Sequence, residues 1–254
     1  MSKNIAKVTL VGAGPGDIEL ITLKGLKAIQ QADVILYDAL VNEELLDEAP
    51  NAIKIFVGKR KGFKAYSQEE INRLIVDNAF LHGHVVRLKG GDSFVFGRGS
   101  EEIQYIEAFG IETTIVPGIS SSISVPALAG IPVTHRGVSN SFTVISGTLS
   151  QGELNPEVKL VAKSNGTVVI LMGISKLPEI VEIYKKIGKE NEAIAIIKNG
   201  SLPSQTSLVG TIDSIVDSVK NDENQGPGII VIGSVVEVSN AWKENKYLLE
   251  AISL

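Results

Sequence analysis

Short apolar runs that end in glycine or acidic loops, alternating with helical stretches, constrain this chain more than any other feature. Residues 7–11 (KVTLV) are β-type and stop at Gly12. Residues 18–31 then place Leu20, Leu23, Leu26 and Ile29 three apart, the spacing of one helix face. Residues 34–37 (VILY) are again strand-like and end at Asp38. That is a βαβ opening. Residues 53–57, 84–88, 112–116 and 142–145 read as further strands. Ser67 and Glu70 make a capping box for a helix through Ile71, Leu74 and Ile75, and another helix starts near Ile119. In the second half, residues 168–172, 193–197 and 229–232 read as strands, and 177–187 and 212–219 as helices. The alternation predicts an α/β protein. The expected architecture is two domains, 1–138 and 139–254, each a mostly parallel sheet flanked by helices.

Composition narrows the function. The chain has no cysteine and three histidines. This removes disulfides, thiolate metal sites and cysteine nucleophiles, and no metal site is expected. The net charge of −5 argues against a nucleic-acid binder. No apolar run approaches the ~18 residues that span a bilayer, and the N-terminus has no signal-peptide apolar region. No membrane partner and a cytoplasmic setting are therefore expected.

The glycine loops carry the chemistry. Gly12, Gly14 and Gly16 follow the first strand as G-x-G-x-G, which is not the dinucleotide spacing G-x-G-x-x-G. Pro15 also removes an N–H that a phosphate could use. Asp38 nonetheless stands where a dinucleotide fold keeps its ribose acid. A tight β-to-α turn, a ligand loop and an NAD-binding oxidoreductase all stay open here. The Lys89-Gly90-Gly91-Asp92 loop follows a strand, and paired glycines let a ligand approach backbone closely. Downstream, Arg98 lies between Gly97 and Gly99, with Glu101 and Glu102 just beyond. For one of those acids, first-turn helix chemistry is the whole account. The loop after Pro117 opens a helix with a run of serines, suited to a polar ligand or to simple capping.

All five arginines (Arg60, Arg73, Arg87, Arg98, Arg136) fall in the first 136 residues. An arginine fork grips a carboxylate at two points, so an anionic substrate is expected in that half. Lys59, Arg60, Lys61 and Lys64 crowd one glycine-containing loop of an acidic protein, which invites a small polyanion. His82 and His84 read as surface residues, His135 as structural, and Trp242 as a packing anchor.

Six segments in order, VGAGPGDIELITLKG (11–25), ILYDALV (35–41), FVGKRKG (56–62), VVRLKGGDSFVFGRGSEE (85–102), VPGISSS (116–122) and IPVTHRG (131–137), resemble the tetrapyrrole methylases. The resemblance covers nearly the whole chain. It is strongest to members that methylate uroporphyrinogen III at C2 and C7 to give precorrin-2, on the route to sirohaem or cobalamin. Methylases that act on later precorrins are the near alternative. The resemblance implies a homodimer of two-domain subunits with S-adenosylmethionine in the inter-domain cleft and S-adenosylhomocysteine as product. It implies the stand-alone form, without an appended dehydrogenase or chelatase segment.

The resemblance also implies roles. Pro15, Gly90, Gly91, Asp92, Val95, Ser120 and Ser121 fall on cofactor positions, as do Met172, Gly200 and Gly228 in the second domain. Asp38 and Lys59 match a proton acceptor and a proton donor. Arg98, Glu101 and Arg136 match a substrate-binding and catalytic set. Position 93 is serine where the family usually has proline, and Ser120 replaces a usual threonine.

Overall fold

The computed structural model describes residues 5–58, 66–220, 222–224 and 226–245. The chain divides into two compact units, Met1–Ser120 and Ser121–Leu254.

In the first unit the chain runs through β1 (Lys7–Gly12), α1 (Leu23–Gln30), β2 (Val34–Tyr37), β3 (Ile53–Phe56), α2 (Gln68–His82), β4 (His84–Lys89), α3 (Gly99–Glu107) and β5 (Glu112–Val116). The five strands are parallel, in the order β3-β2-β4-β1-β5. Buried strand side chains alternate between two faces, so the sheet needs cover on both. Leu10, Leu36 and Val85 pack with Ile75 of α2 and Ile106 of α3. On the other face Val11, Ile35 and Leu88 pack with Ile29 of α1. Each such side chain, fully buried, contributes about 1.5–3 kcal/mol. The chain leaves β1 in one direction along the sheet, toward β2, and leaves β4 in the other, toward β5. The carboxyl ends of adjacent β1 and β4 therefore form a switch point, where open α/β sheets take their ligands.

Local chemistry sets the helix starts. The Ser67 hydroxyl accepts from the Glu70 N–H at 3.2 Å, and Glu70 Oε2 accepts from the Ser67 N–H at 2.7 Å. The capping box is the one the sequence shows. The single helix expected over 18–31 is divided into a 3-10 turn, Ile18–Leu20, and α1. Asp17 caps the turn and Thr22 caps α1, while extended backbone at Ile21 separates them.

His84, expected at the surface, is buried at the start of β4. Its ring spans β1 and the α1–β2 turn. Nδ1 donates to the Gln31 carbonyl at 2.9 Å, which leaves Nε2 to accept from the Thr9 hydroxyl at 2.9 Å. Burial pushes its pKa below the usual histidine value.

The second unit contains α4 (Ser121–Leu128), β6 (Phe142–Ser146), α5 (Val158–Val161), β7 (Thr167–Leu171), α6 (Leu177–Lys185), β8 (Ala193–Lys198), β9 (Thr206–Thr211), α7 (Ile215–Lys220) and β10 (Gly228–Ile232). Its sheet has the order β6-β7-β10-β8-β9. Only β6 and β7 are parallel; β7–β10, β10–β8 and β8–β9 are antiparallel. This sheet is mixed, where a mostly parallel one was expected. Residues 199–205 alone join β8 to β9, too few for a crossover helix.

The division at 120/121 also lies N-terminal of the expected 138/139 boundary. Helix α4 explains this. Val125 and the following Ile131 are buried in one cluster with Val169, Ala195, Ile197 and Val231 of the second sheet. Trp242 packs on the same cluster. Across this sheet Ile170, Ile194 and Ile230 pack with Ile180 of α6. Among the described residues no helix is long and apolar enough to cross a membrane.

Candidate active site

Three loops at the carboxyl ends of β1, β4 and β5 meet backbone to backbone. The Gly14 N–H donates to the Gly91 carbonyl at 3.2 Å, the Gly91 N–H to the Gly14 carbonyl at 2.6 Å, and the Ala13 N–H to the Lys89 carbonyl at 2.7 Å. A Cβ on Gly12 would lie 2.5 Å from the Gly118 nitrogen, and one on Gly118 would lie 2.2 Å from the Gly91 carbonyl oxygen. Only glycine fits either place. The Ala13 and Gly14 amides are thus spent on the neighbouring loop, and Pro15 has none to give. Little is left there to wrap a pyrophosphate, which weighs against the dinucleotide reading.

Asp92 completes this joint. Its Oδ1 accepts from the Phe94 N–H at 2.8 Å and its Oδ2 from the Gly118 N–H at 3.0 Å. The carboxylate therefore ties the β4 loop to the β5 loop. Asp38, just past β2, is held in a similar way. Its Oδ1 accepts from the Leu40 N–H at 3.0 Å and its Oδ2 from the Gly90 N–H at 3.4 Å. Pro15, Asp38, Gly90, Gly91, Asp92, Val95 and Ser120 are all half-buried, whereas the strand residues leading to Gly12 and Gly90 are buried. The structure gathers these seven at one end of the first sheet. Lys59 lies outside the described residues.

Arg98 opens α3 with a left-handed backbone, φ +59°. Its flanking glycines press on Ser93, since a Cβ on Gly97 or on Gly99 would lie 2.6 Å from the Ser93 carbonyl oxygen. The Ser93 hydroxyl is buried and has no partner among the described residues. Arg98 pairs with Glu101 at 2.5 Å, both side chains about half exposed. The hydrogen bond from Arg98 holds the Glu101 carboxyl below its usual range.

Glu102 has a different fate, although both acids lie in the first turn of α3. It is fully buried, and its Oε1 accepts from Arg87 Nε at 3.2 Å, Lys89 Nζ at 3.1 Å and Gln68 Nε2 at 3.1 Å. Two buried cations of β4 thus share one carboxylate. Burial, and then Arg87, push the Lys89 ammonium pKa down. Sequence reasoning missed this cluster. Its one local signal was the pair of cations alternating with apolar residues inside a strand, at Arg87 and Lys89.

In the second unit Met172, Gly200 and Gly228 lie at one end of the mixed sheet. Gly228 pairs with Lys198, and its neighbour Ile229 with Leu171. Met172, at φ +54°, is about half exposed. Gly200 stands between left-handed Asn199 and Ser201, and a Cβ there would lie 2.4 Å from Val125. The Asn224 side chain, absent from the sequence reading, steadies this turn: it accepts from Asn199 Nδ2 at 3.0 Å and from the Gly226 N–H at 2.9 Å. Ser121 is the first residue of α4 and is half-buried. Arg136 is exposed in the 135–139 turn, within the second unit instead of the first.

Residues 7–216 match the model of the tetrapyrrole (corrin/porphyrin) methylases. A uroporphyrinogen-III C-methyltransferase of Methanocaldococcus jannaschii is 49% identical over 235 residues, covering 91% of this chain and 97% of that one. The enzyme of the same name from Priestia megaterium is 47% identical over 239 residues, covering 92% of this chain and all of that one. Among solved structures, a Thermus thermophilus uroporphyrin-III C-methyl transferase complexed with S-adenosylhomocysteine superposes with a TM-score of 0.79. It is 36% identical and covers 91% of this chain and 99% of that one. The chain belongs to the tetrapyrrole (corrin/porphyrin) methylase family.

Proposed function

We propose that this protein transfers methyl groups from S-adenosylmethionine to C2 and C7 of uroporphyrinogen III, giving precorrin-2. The observation that carries the reading is the welded loop floor at the β1/β4 switch point, with Asp38 beside it and the Arg98 loop running on from it. Similarity near one half to proteins named for this activity supports the same reading.

The residues fit the cofactor. The floor is backbone and small side chains, half-buried at a sheet end. Pro15, Gly90, Gly91, Asp92, Val95 and Ser120 in the first unit would hold it, as would Ser121, Met172, Gly200 and Gly228 in the second. Asp92 acts through the loops it ties together. When bound, S-adenosylmethionine supplies an electrophilic methyl on a sulfonium. Attack by an electron-rich pyrrole carbon needs alignment more than acid or base, and alignment removes several kcal/mol of barrier.

In this reading Asp38 takes the proton that the methylated ring loses, steadied by the Leu40 and Gly90 amides. Lys59 is the matching proton donor in this reading. Arg98 and Arg136 grip substrate carboxylates. The test is incubation with uroporphyrinogen III and S-adenosylmethionine. Release of S-adenosylhomocysteine with consumption of the porphyrinogen is expected, and no release overturns the reading.

A homodimer in the cytoplasm, feeding sirohaem or cobalamin synthesis, belongs to the same proposal. A siroheme synthase of Actinobacillus pleuropneumoniae is 43% identical to this chain over about half its own length, which supports the sirohaem branch. Light scattering at micromolar concentration is expected to give the dimer mass; a monomer mass contradicts it.

A further inference from the structure

The Arg98 fork already holds a carboxylate. Its Nε donates to Glu101 Oε1 at 3.2 Å and Oε2 at 3.1 Å, and its terminal NH2 donates to Oε2 at 2.5 Å. This is the two-point geometry that any carboxylate would take. The backbone on which the fork stands is fixed by the left-handed Arg98 and by Gly97 and Gly99 against Ser93. The pair itself is accessible, with both side chains 53% exposed. Exposed pairs of this kind contribute little and exchange readily. Among the described residues, the other charged groups in electrostatic reach are Glu102 of α3 and Lys89 of β4, both buried and paired with each other.

We infer that Glu101 is a place-holding carboxylate. It occupies the Arg98 fork while no substrate is bound, and an acetate or propionate carboxylate of the incoming tetrapyrrole displaces it. The inference rests on the reading above, in which Arg98 grips the substrate, and it gives Glu101 a role other than proton carrier. Glu101 keeps the fork oriented between turnovers. It also sets a threshold: a ligand with no carboxylate in reach leaves the pair closed.

The test uses the full chain and uroporphyrin III, the oxidised polycarboxylate that cannot be methylated, followed by its fluorescence. Wild type, Glu101→Gln, Arg98→Met and the double variant are compared. Glu101→Gln is expected to bind uroporphyrin III about 2- to 5-fold tighter than wild type, the worth of an exposed pair. KM for uroporphyrinogen III should fall by a similar factor. In the Arg98→Met background the same substitution should change binding by less than about 1.5-fold, because no fork remains to contest. Weaker or unchanged binding in Glu101→Gln overturns the inference. So does equal tightening in both backgrounds, which is general charge repulsion. So does a loss of kcat with binding unchanged, which puts Glu101 in the chemistry. A wild type that neither binds uroporphyrin III nor methylates uroporphyrinogen III overturns the functional reading and this inference with it.

Discussion

At Arg98 the backbone adopts a conformation that costs an L-residue about 1 kcal/mol or more, and two glycines pressed on Ser93 hold it there. A side chain displayed at that cost is expected to act. Arg98→Lys keeps the charge and loses the planar fork. Turnover should fall at least ~10-fold, equal to ~1.4 kcal/mol at the barrier. S-adenosylhomocysteine affinity by calorimetry should stay near wild type. If the variant instead loses cofactor affinity and thermal stability together, with turnover per bound cofactor intact, Arg98 merely secures its loop. At this scale the sequence showed where glycine is obligatory but not why. The spacing of Gly12, Gly91 and Gly118 gives no sign that they touch, because their contact is made between strands. Glu101 and Glu102 are adjacent in sequence and look alike. One is a surface partner of Arg98 and the other a buried carboxylate shared by two buried cations.

Strand β4 shows how one element serves both ends of its sheet. Its carboxyl end carries Lys89 and the glycine loop, and its amino end carries buried His84. The His84 pKa is lowered in the fold, so the unfolded chain binds the proton more tightly. The stability from neutral His84 is therefore complete above about pH 6.5 and is lost as the pH falls below it. Subtracting the unfolding free energy of the His84→Gln variant from that of wild type cancels the carboxylates, which the two proteins share. That difference should be flat above pH 7 and decline toward pH 5 by up to about 1.4 kcal/mol per pH unit. A difference that stays flat to pH 5 refutes the assignment. The parallel strands of the first unit were legible because each is a β-branched run closed by a loop signal. Strand β9, TSLVGT, was not, since its polar ends and Gly210 hide it. Missing it concealed the antiparallel half of the second sheet. Helix α4 was placed in the wrong unit because residues 121–128 do not say which core Val125 will join.

For the whole molecule, the family was readable from six ordered segments. Which groups are spent on holding loops together was not. Asp92 and Asp38 each accept from two amides, and in the proposed reaction Asp38, Arg98 and the half-buried floor are the groups that meet substrate. The proposed reaction requires this floor to position S-adenosylmethionine twice in succession, one donor molecule for each carbon methylated. The direct test is to incubate the protein with uroporphyrinogen III and S-adenosylmethionine labelled with 13C in its methyl group, then locate the label by NMR. Two labelled methyl groups per tetrapyrrole are expected, on C2 and C7. Label on other carbons or on a heteroatom, or a reaction that stops at one methyl with donor in excess, would contradict the proposed reaction.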